Sequence, residues 1–244
     1  MSCTPSRSSK RARVAAAAAM LCAAPATLSA QTLEPLLSGY VTLTTDYRHR
    51  GLSESSGEPS LQAGVDYQRA NGLFAGAWAA RIDYAQPSED SSTRFKIGYY
   101  LGVSKRIGRW SWTATAVRYT YPGLAYDYDY GELSATVGFR DRLFFTTAYI
   151  DDVFGRDRSA VYGEVGAALP LPHGLELGGT LGRFGSSARQ LEYTHWNVGL
   201  SKTFARRIGV DLRYYDTDRE LWNAVATTNA ESWVLSASYG FRSR

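Results

Sequence analysis

Phe95-Lys96-Ile97-Gly98-Tyr99-Tyr100-Leu101-Gly102-Val103-Ser104 is the stretch that decides the fold. Its odd positions are large and apolar, while its even positions are polar or small except for Tyr100. Period two describes a strand with one apolar and one polar face. The same rhythm runs outward in both directions. Towards the N-terminus, Phe74, Gly76, Trp78, Ala80, Ile82 and Tyr84 alternate with Ala75, Ala77, Ala79, Arg81 and Asp83. Towards the C-terminus, Leu133, Ala135, Val137 and Phe139 alternate with Glu132, Ser134, Thr136 and Gly138. Ile208 to Tyr215 and Trp233 to Phe241 repeat it, and no stretch after residue 31 has a helical period. Strands are expected at 38–48, 60–69, 72–84, 93–105, 109–120, 128–139, 142–151, 159–169, 174–184, 190–204, 208–216 and 230–241.

The connections alternate in size. Asn71-Gly72, Ile107-Gly108, Arg140-Asp141, Pro172-His173-Gly174 and Arg206-Arg207 are tight, and Asn-Gly between alternating runs is a strong hairpin signal. Longer polar segments fall at 49–59, 85–92, 121–127, 152–158, 185–189 and 217–229. Short turns at one end and long loops at the other describe an outer-membrane barrel, with the turns and both termini periplasmic. The expected fold class is therefore all-β, a transmembrane antiparallel up-and-down barrel of about twelve strands. Phe74, Phe139, Phe204 and Phe241 lie at the turn ends of the apolar face, and Tyr84, Phe95, Tyr214 and Trp233 at the loop ends. Two aromatic girdles around an aliphatic belt place that face against lipid. The charged face then lines the lumen.

The N-terminus has the layout of a secretory signal. Arg7, Lys10, Arg11 and Arg13 precede an apolar run from Val14 to Ala24, then Pro25 and small residues to Ala30. The run is too short to span a bilayer. Cleavage is expected after Ala30, with Ala26 the alternative; Leu21 before Cys22 argues against lipid attachment. The expected organisation is signal 1–30, a periplasmic segment 31–37, the barrel 38–241 and a tail 242–244. All charges of the signal are basic, and the full chain has 27 Lys+Arg against 23 Asp+Glu. Without the signal, acid and base balance, so the basic pI is no argument for nucleic acid. Cys3 and Cys22 leave with the signal, which removes disulfides, thiolate metal sites and cysteine nucleophiles.

Residues 39–84 carry a resemblance. Leu43-Thr44-Thr45-Asp46-Tyr47-Arg48-His49-Arg50-Gly51-Leu52-Ser53 is followed by Pro59-Ser60-Leu61-Gln62-Ala63-Gly64-Val65-Asp66-Tyr67 and Gly72-Leu73-Phe74-Ala75-Gly76-Ala77-Trp78-Ala79. This run resembles a proteobacterial family of outer-membrane proteins, the TorF porin or Gcw_chp family. The resemblance implies a barrel and a pore, and brings no catalytic residues.

Arg81, Asp83, Lys96, Glu132, Glu164, Glu176, Asp211 and Arg213 are expected to face inward as candidate pore-lining groups. Asp46, Arg48, His49, Arg50 and Glu54 are expected at the extracellular mouth, as a field-focusing ring or simply a solvated loop. A barrel of this size is intermediate between a filled lumen and a water channel. The small inward residues Gly98, Gly102, Ser104, Gly178, Thr180, Gly182, Ser236 and Ser238 favour room for water. The expected activity is passive diffusion of small polar solutes. A closed barrel that binds a partner through its loops is the second reading, and a lipid-modifying enzyme using His195 the third. His49, His173 and His195 lie on separate segments, against a histidine metal site. Asp127 with Asp129, or Asp151 with Asp152, could hold Ca²⁺, but solvated loop ends are the preferred reading. The expected partners are outer-membrane lipid and lipopolysaccharide, the barrel-assembly machinery and small polar solutes, with no nucleic acid and no cofactor.

Overall fold

A computed structural model describes residues 36–83, 95–122, 128–153, 157–186, 192–218 and 231–243. Twelve of its strands form one closed antiparallel barrel: β1 (Leu36–Thr44), β4 (Ser60–Gln68), β5 (Leu73–Arg81), β6 (Phe95–Ile107), β7 (Trp110–Thr120), β8 (Tyr130–Phe139), β9 (Leu143–Ile150), β10 (Ala160–Pro170), β11 (Leu175–Ser186), β12 (Tyr193–Phe204), β13 (Ile208–Thr217) and β14 (Ser232–Arg242). Each pairs with its neighbours in sequence, and β1 closes on β14 with Ser38 opposite Arg242 and Thr44 opposite Ser236. Two further strands, β2 (Arg48–His49) and β3 (Leu52–Ser53), make a small separate hairpin. Strands of about ten residues tilted in a barrel cross the apolar thickness of a bilayer. The expected signal peptide, most of the 31–37 segment, Tyr84, Asp127 and residue 244 lie outside the described residues.

Turn chemistry fixes the short ends. Gly72 has φ 90°, and the Arg140-Asp141 pair has φ 56° and 55°. Positive φ at both central residues suits the right-handed twist of the flanking strands. The β6–β7 turn is centred on Gly108-Arg109, one residue later than expected, because Gly108 is the residue that supplies φ 60°.

The barrel is apolar outside. Leu101 and Trp233 are each 65% exposed, and Leu43, Leu133, Val161, Leu181, Leu200 and Leu235 are exposed with them. Rings sit at both ends of this surface: Trp110 packs on Phe139 at the turn end, and Trp196, Tyr214 and Trp233 form a ladder at the loop end.

β5 reverses its expected facing. Trp78, Ala80 and Ile82 are buried in the interior, whereas Leu73, Ala75 and Arg81 face out. Phe74 also points inward, so it belongs to no girdle. Glycine on the neighbouring strand accounts for this. A Cβ at Gly98 would meet Trp78 Nε1 at 2.5 Å, and one at Gly102 would meet the Phe74 ring at 2.4 Å. The rings of β5 lie flat across the glycines of β6. Tyr40 covers Gly64, Tyr100 covers Gly76 and Phe144 covers Gly166 in the same way. Many inward glycines are therefore seats for a neighbour's ring, and Gly98, Gly102 and Gly182 leave no room for water. Gly178 is the different case: its nearest side-chain atom is Arg213 Nη2, at 3.6 Å.

Candidate functional site

The loop-end half of the barrel is filled by the chain between β1 and β4. β1 stops at Thr44, four residues short of its expected end, and residues 46–55 of the following loop turn into the lumen. Asp46 is the reason. Its carboxylate accepts from Arg48 Nε (2.7 Å), Ser53 Oγ (2.5 Å) and Ser55 Oγ (3.1 Å), and its carbonyl accepts from Thr44 Oγ1 (2.9 Å). A carboxylate with those partners gathers the loop into a knot. Arg50 and Gly51, with φ 52° and 85°, close the β2–β3 hairpin between His49 and Leu52. Arg48 Nη1 donates to the Gly51 carbonyl across that turn (3.0 Å).

The knot is tied to the wall by charge. Arg50 Nη2 meets Glu132 Oε2 on β8 at 2.7 Å, and its guanidinium lies 4.4 Å from the Tyr162 ring of β10. Lys96 on β6 is 0% exposed. Its ammonium donates to both Glu54 oxygens (2.7 and 3.0 Å) and to His49 Nδ1 (2.7 Å), 4.7 Å from the Tyr119 ring. Thr217 Oγ1 on β13 donates to the Gly51 carbonyl (3.1 Å). A Cβ on Gly51 would lie 2.4 Å from His195 Cβ, so only glycine fits between hairpin and β12.

Burial and Lys96 both disfavour protonation of His49, which is pushed down to about 4; Arg50 adds to this and Glu54 opposes it. The neutral ring accepts from Lys96. Burial works to raise the Glu54 carboxyl, but Lys96 and His49 outweigh it and hold the group at about 2. Around the loop, Tyr47, Trp78, Tyr119, Tyr121, Tyr130, Tyr162 and Tyr193 form one buried cluster.

The turn-end half is different. Ser104, Ser111, Thr113, Ser134, Thr136, Ser201 and Ser238 remain partly exposed inside the barrel. Between the halves lies a polar band in which Arg213 binds Asp211 through two nitrogens (3.2 and 3.1 Å) and donates to Asn197 Oδ1 (2.6 Å). Asn197 in turn donates to Thr180 Oγ1 (2.6 Å). Tyr162 donates to Glu164 (2.8 Å), and Tyr100 hydrogen-bonds Asp66. The interior is thus packed by the first loop in its loop-end half and lined by partly exposed hydroxyl groups in its turn-end half.

Among the expected pore-lining residues, Lys96, Glu132, Glu164, Glu176, Asp211 and Arg213 lie on the inner side of their strands. Arg81 does not: it is exposed on the outer face and donates to the Pro59 carbonyl (3.3 Å). Asp83 sits beyond the end of β5, where its N–H donates to the Glu54 carbonyl (2.8 Å). Asp46, Arg48, His49, Arg50 and Glu54 are all buried inside the barrel and not displayed at its rim. His195 stacks on Tyr162 with 3° between ring planes and shares a 3.0 Å contact with its hydroxyl, a packing role against the hairpin. Asp129 accepts from the Tyr121 N–H and Asp151 from Gly131 and Asp152. Among the described residues no group of three or more His, Cys, Asp or Glu could hold a metal ion. Sequence reasoning missed Asp66, Tyr162, Thr217 and Asn197; polar residues in period-two register with the expected lumenal charges were the available signal.

A closed twelve-strand barrel with a greasy exterior, a polar interior and an inward-folded loop has the architecture of an outer-membrane porin. The chain belongs to the family described as "Bacterial protein of unknown function (Gcw_chp)", which matches residues 29–241. Its fold is similar to a structure described as "KdgM porin", with a TM-score of 0.53 and 10% identity over 84% of this chain and 99% of that one. A second, "KdgM porin in complex with disordered oligogalacturonate", has a TM-score of 0.50 and 10% identity, over 86% of this chain and 98% of that one. No curated protein sequence matches the chain.

Proposed function

We propose that this protein is an outer-membrane porin for small polar solutes whose first loop, residues 45–59, is the gate. The carrying observation is the chemistry of the stopper. His49, Arg50 and Glu54 dock on the wall by ion pairs and hydrogen bonds, Asp46, Arg48, Ser53 and Ser55 bond within the loop, and Tyr47 and Leu52 are its large apolar side chains in or against the buried cluster. A buried ion pair gains little over its hydrated partners. Undocking would exchange these polar contacts for water and open a path beside Lys96 and Glu132, at the cost of uncovering Tyr47, Leu52 and the wall rings Trp78, Tyr119 and Tyr130. Export through a cleaved signal at residues 1–30, a barrel at 38–241 and contact with the barrel-assembly machinery belong to the same reading. Nothing in it requires catalysis.

Packing of the loop half also favours a second reading, a permanently closed barrel. Solute influx into proteoliposomes separates the two. Replacing residues 46–58 by a short Gly-Ser linker should raise influx of a small neutral sugar well above wild type if the loop is a gate. If the linker variant leaks no faster than empty liposomes, the barrel is closed by its wall and the porin reading fails.

A further inference from the structure

Among the described residues, exposed cations without a carboxylate partner are more numerous at the turn end of the barrel than at the loop end. At the loop end, two of the described outward cations have carboxylate partners, Arg118 lying 3.8 Å from Asp129 and Arg183 3.4 Å from Glu192, and Arg81 donates to the Pro59 carbonyl. Carboxylates there also serve the girdle, Asp216 accepting from the Trp196 indole (3.1 Å) and Glu231 from the Tyr214 hydroxyl (3.0 Å). The turn end lacks this balance. Arg109, Arg140, Arg142, Arg206 and Arg207 are exposed, Lys202 is half-buried, and none has an ion pair among the described residues. The turn-end ion pair is Arg106 with Asp141, at 2.6 Å.

Three of these cations, Arg140, Lys202 and Arg207, lie against outward rings. The Arg140 guanidinium is 5.3 Å from the Phe139 ring, which packs on Trp110 with centroids 4.8 Å apart. The Lys202 ammonium is 5.2 Å from the Phe204 ring, and Arg207 Nη1 donates to the Tyr239 hydroxyl (3.3 Å). The Arg140 N–H also donates to the Arg109 carbonyl (2.7 Å), which joins two turns into one basic patch. Girdle rings mark the boundary between acyl chains and headgroups. A cation resting on the outer side of such a ring sits at phosphate height and faces lipid, away from any solute in the lumen.

We propose that the turn-end girdle is a binding surface for anionic phospholipid headgroups, with ring faces against the glycerol region and guanidinium groups on the phosphates. Arginine suits this work, since its planar fork matches phosphate oxygens two at a time. Charged groups of the cell wall would instead demand cations projecting along the barrel axis. The proposal rests on the transmembrane reading and is independent of whether the lumen conducts.

The test is native mass spectrometry of the full, signal-processed protein, delipidated in a neutral maltoside detergent and titrated with cardiolipin, phosphatidylglycerol or phosphatidylcholine. Both anionic lipids should bind at least about tenfold more tightly than phosphatidylcholine, and roughly 0.5 M salt should erase most of the difference. The triple variant R140Q/R142Q/R207Q should lose most of that preference, binding anionic lipid about fivefold or more weakly than the unaltered protein. The lysine triple R140K/R142K/R207K should keep most of the preference, and the loop-end variant R118Q/R183Q all of it. Equal binding of the three lipids, salt-insensitive binding, or retention on cell-wall sacculi in preference to anionic lipid would each overturn the proposal.

Discussion

At the residue scale the account turns on Lys96. Its ammonium serves Glu54 and His49 together, so removing it leaves a buried carboxylate without a cation. Breaking a buried pair from one side costs about 3 kcal/mol. Lys96→Met should therefore undock residues 45–59 and make Arg48 and Arg50 substrates for trypsin in the folded barrel. Adding Glu54→Leu should restore much of the protection, because two matched apolar replacements leave nothing unpaired. Cleavage at the same rate in wild type and Lys96→Met contradicts the docking role. The His49 ring faces Lys96, Glu54, Arg50 and Tyr119, and it is neutral when docked. Its docked value of about 4 lies below the ordinary 6.5, so docking stability is full above about pH 6.5 and falls as pH drops towards 4. Glu54, held at about 2 from an ordinary 4.5, extends the loss between about pH 4.5 and 2. Channel opening should rise on acidification from pH 7 to 5, and His49→Asn should flatten that limb. A wild-type opening probability constant over the range contradicts it. The charged residues of this loop were visible in the sequence, but their inward fold was not. Composition cannot distinguish a solvated loop from one whose Asp46 finds Ser53 and Ser55 seven and nine residues on.

At the element scale, period two and turn residues made the strands legible. Asn71-Gly72, Arg140-Asp141 and the apolar odd positions of β6 needed only local physics. β5 did not yield to the same reading. Its two faces, Leu73-Ala75-Ala77-Ala79 and Phe74-Gly76-Trp78-Ala80, are equally apolar. What decides between them is non-local, namely that Gly98 and Gly102 on β6 offer seats to Trp78 and Phe74. A contrast tests those seats. Gly98→Ala forces the Trp78 indole off the wall and should cost about 1–3 kcal/mol. Gly163→Ala should shift stability by less than about 0.5 kcal/mol, as at an ordinary surface position, since a Cβ there meets nothing within 4 Å. Urea unfolding of the two variants in the same lipid gives the comparison; equal midpoints remove the seat explanation.

For the whole molecule, apolar exterior and polar interior followed from amphipathic strands once their number and turn alternation were known. The filling of the interior did not follow. A lumen is decided by contacts between strands distant in sequence, such as Arg50 with Glu132 and Thr217 with Gly51, and by rings lying on glycines that read as empty space. The result is a barrel whose turn-end interior is polar and whose loop-end interior is packed by the first loop and a cluster of rings. Planar-bilayer recording of wild type beside the variant with residues 46–58 replaced by a Gly-Ser linker tests this most directly. The account predicts rare, small current steps from the wild type and large, persistent steps from the variant. Identical traces from the two, whether both silent or both fully open, would contradict a gate formed by the first loop.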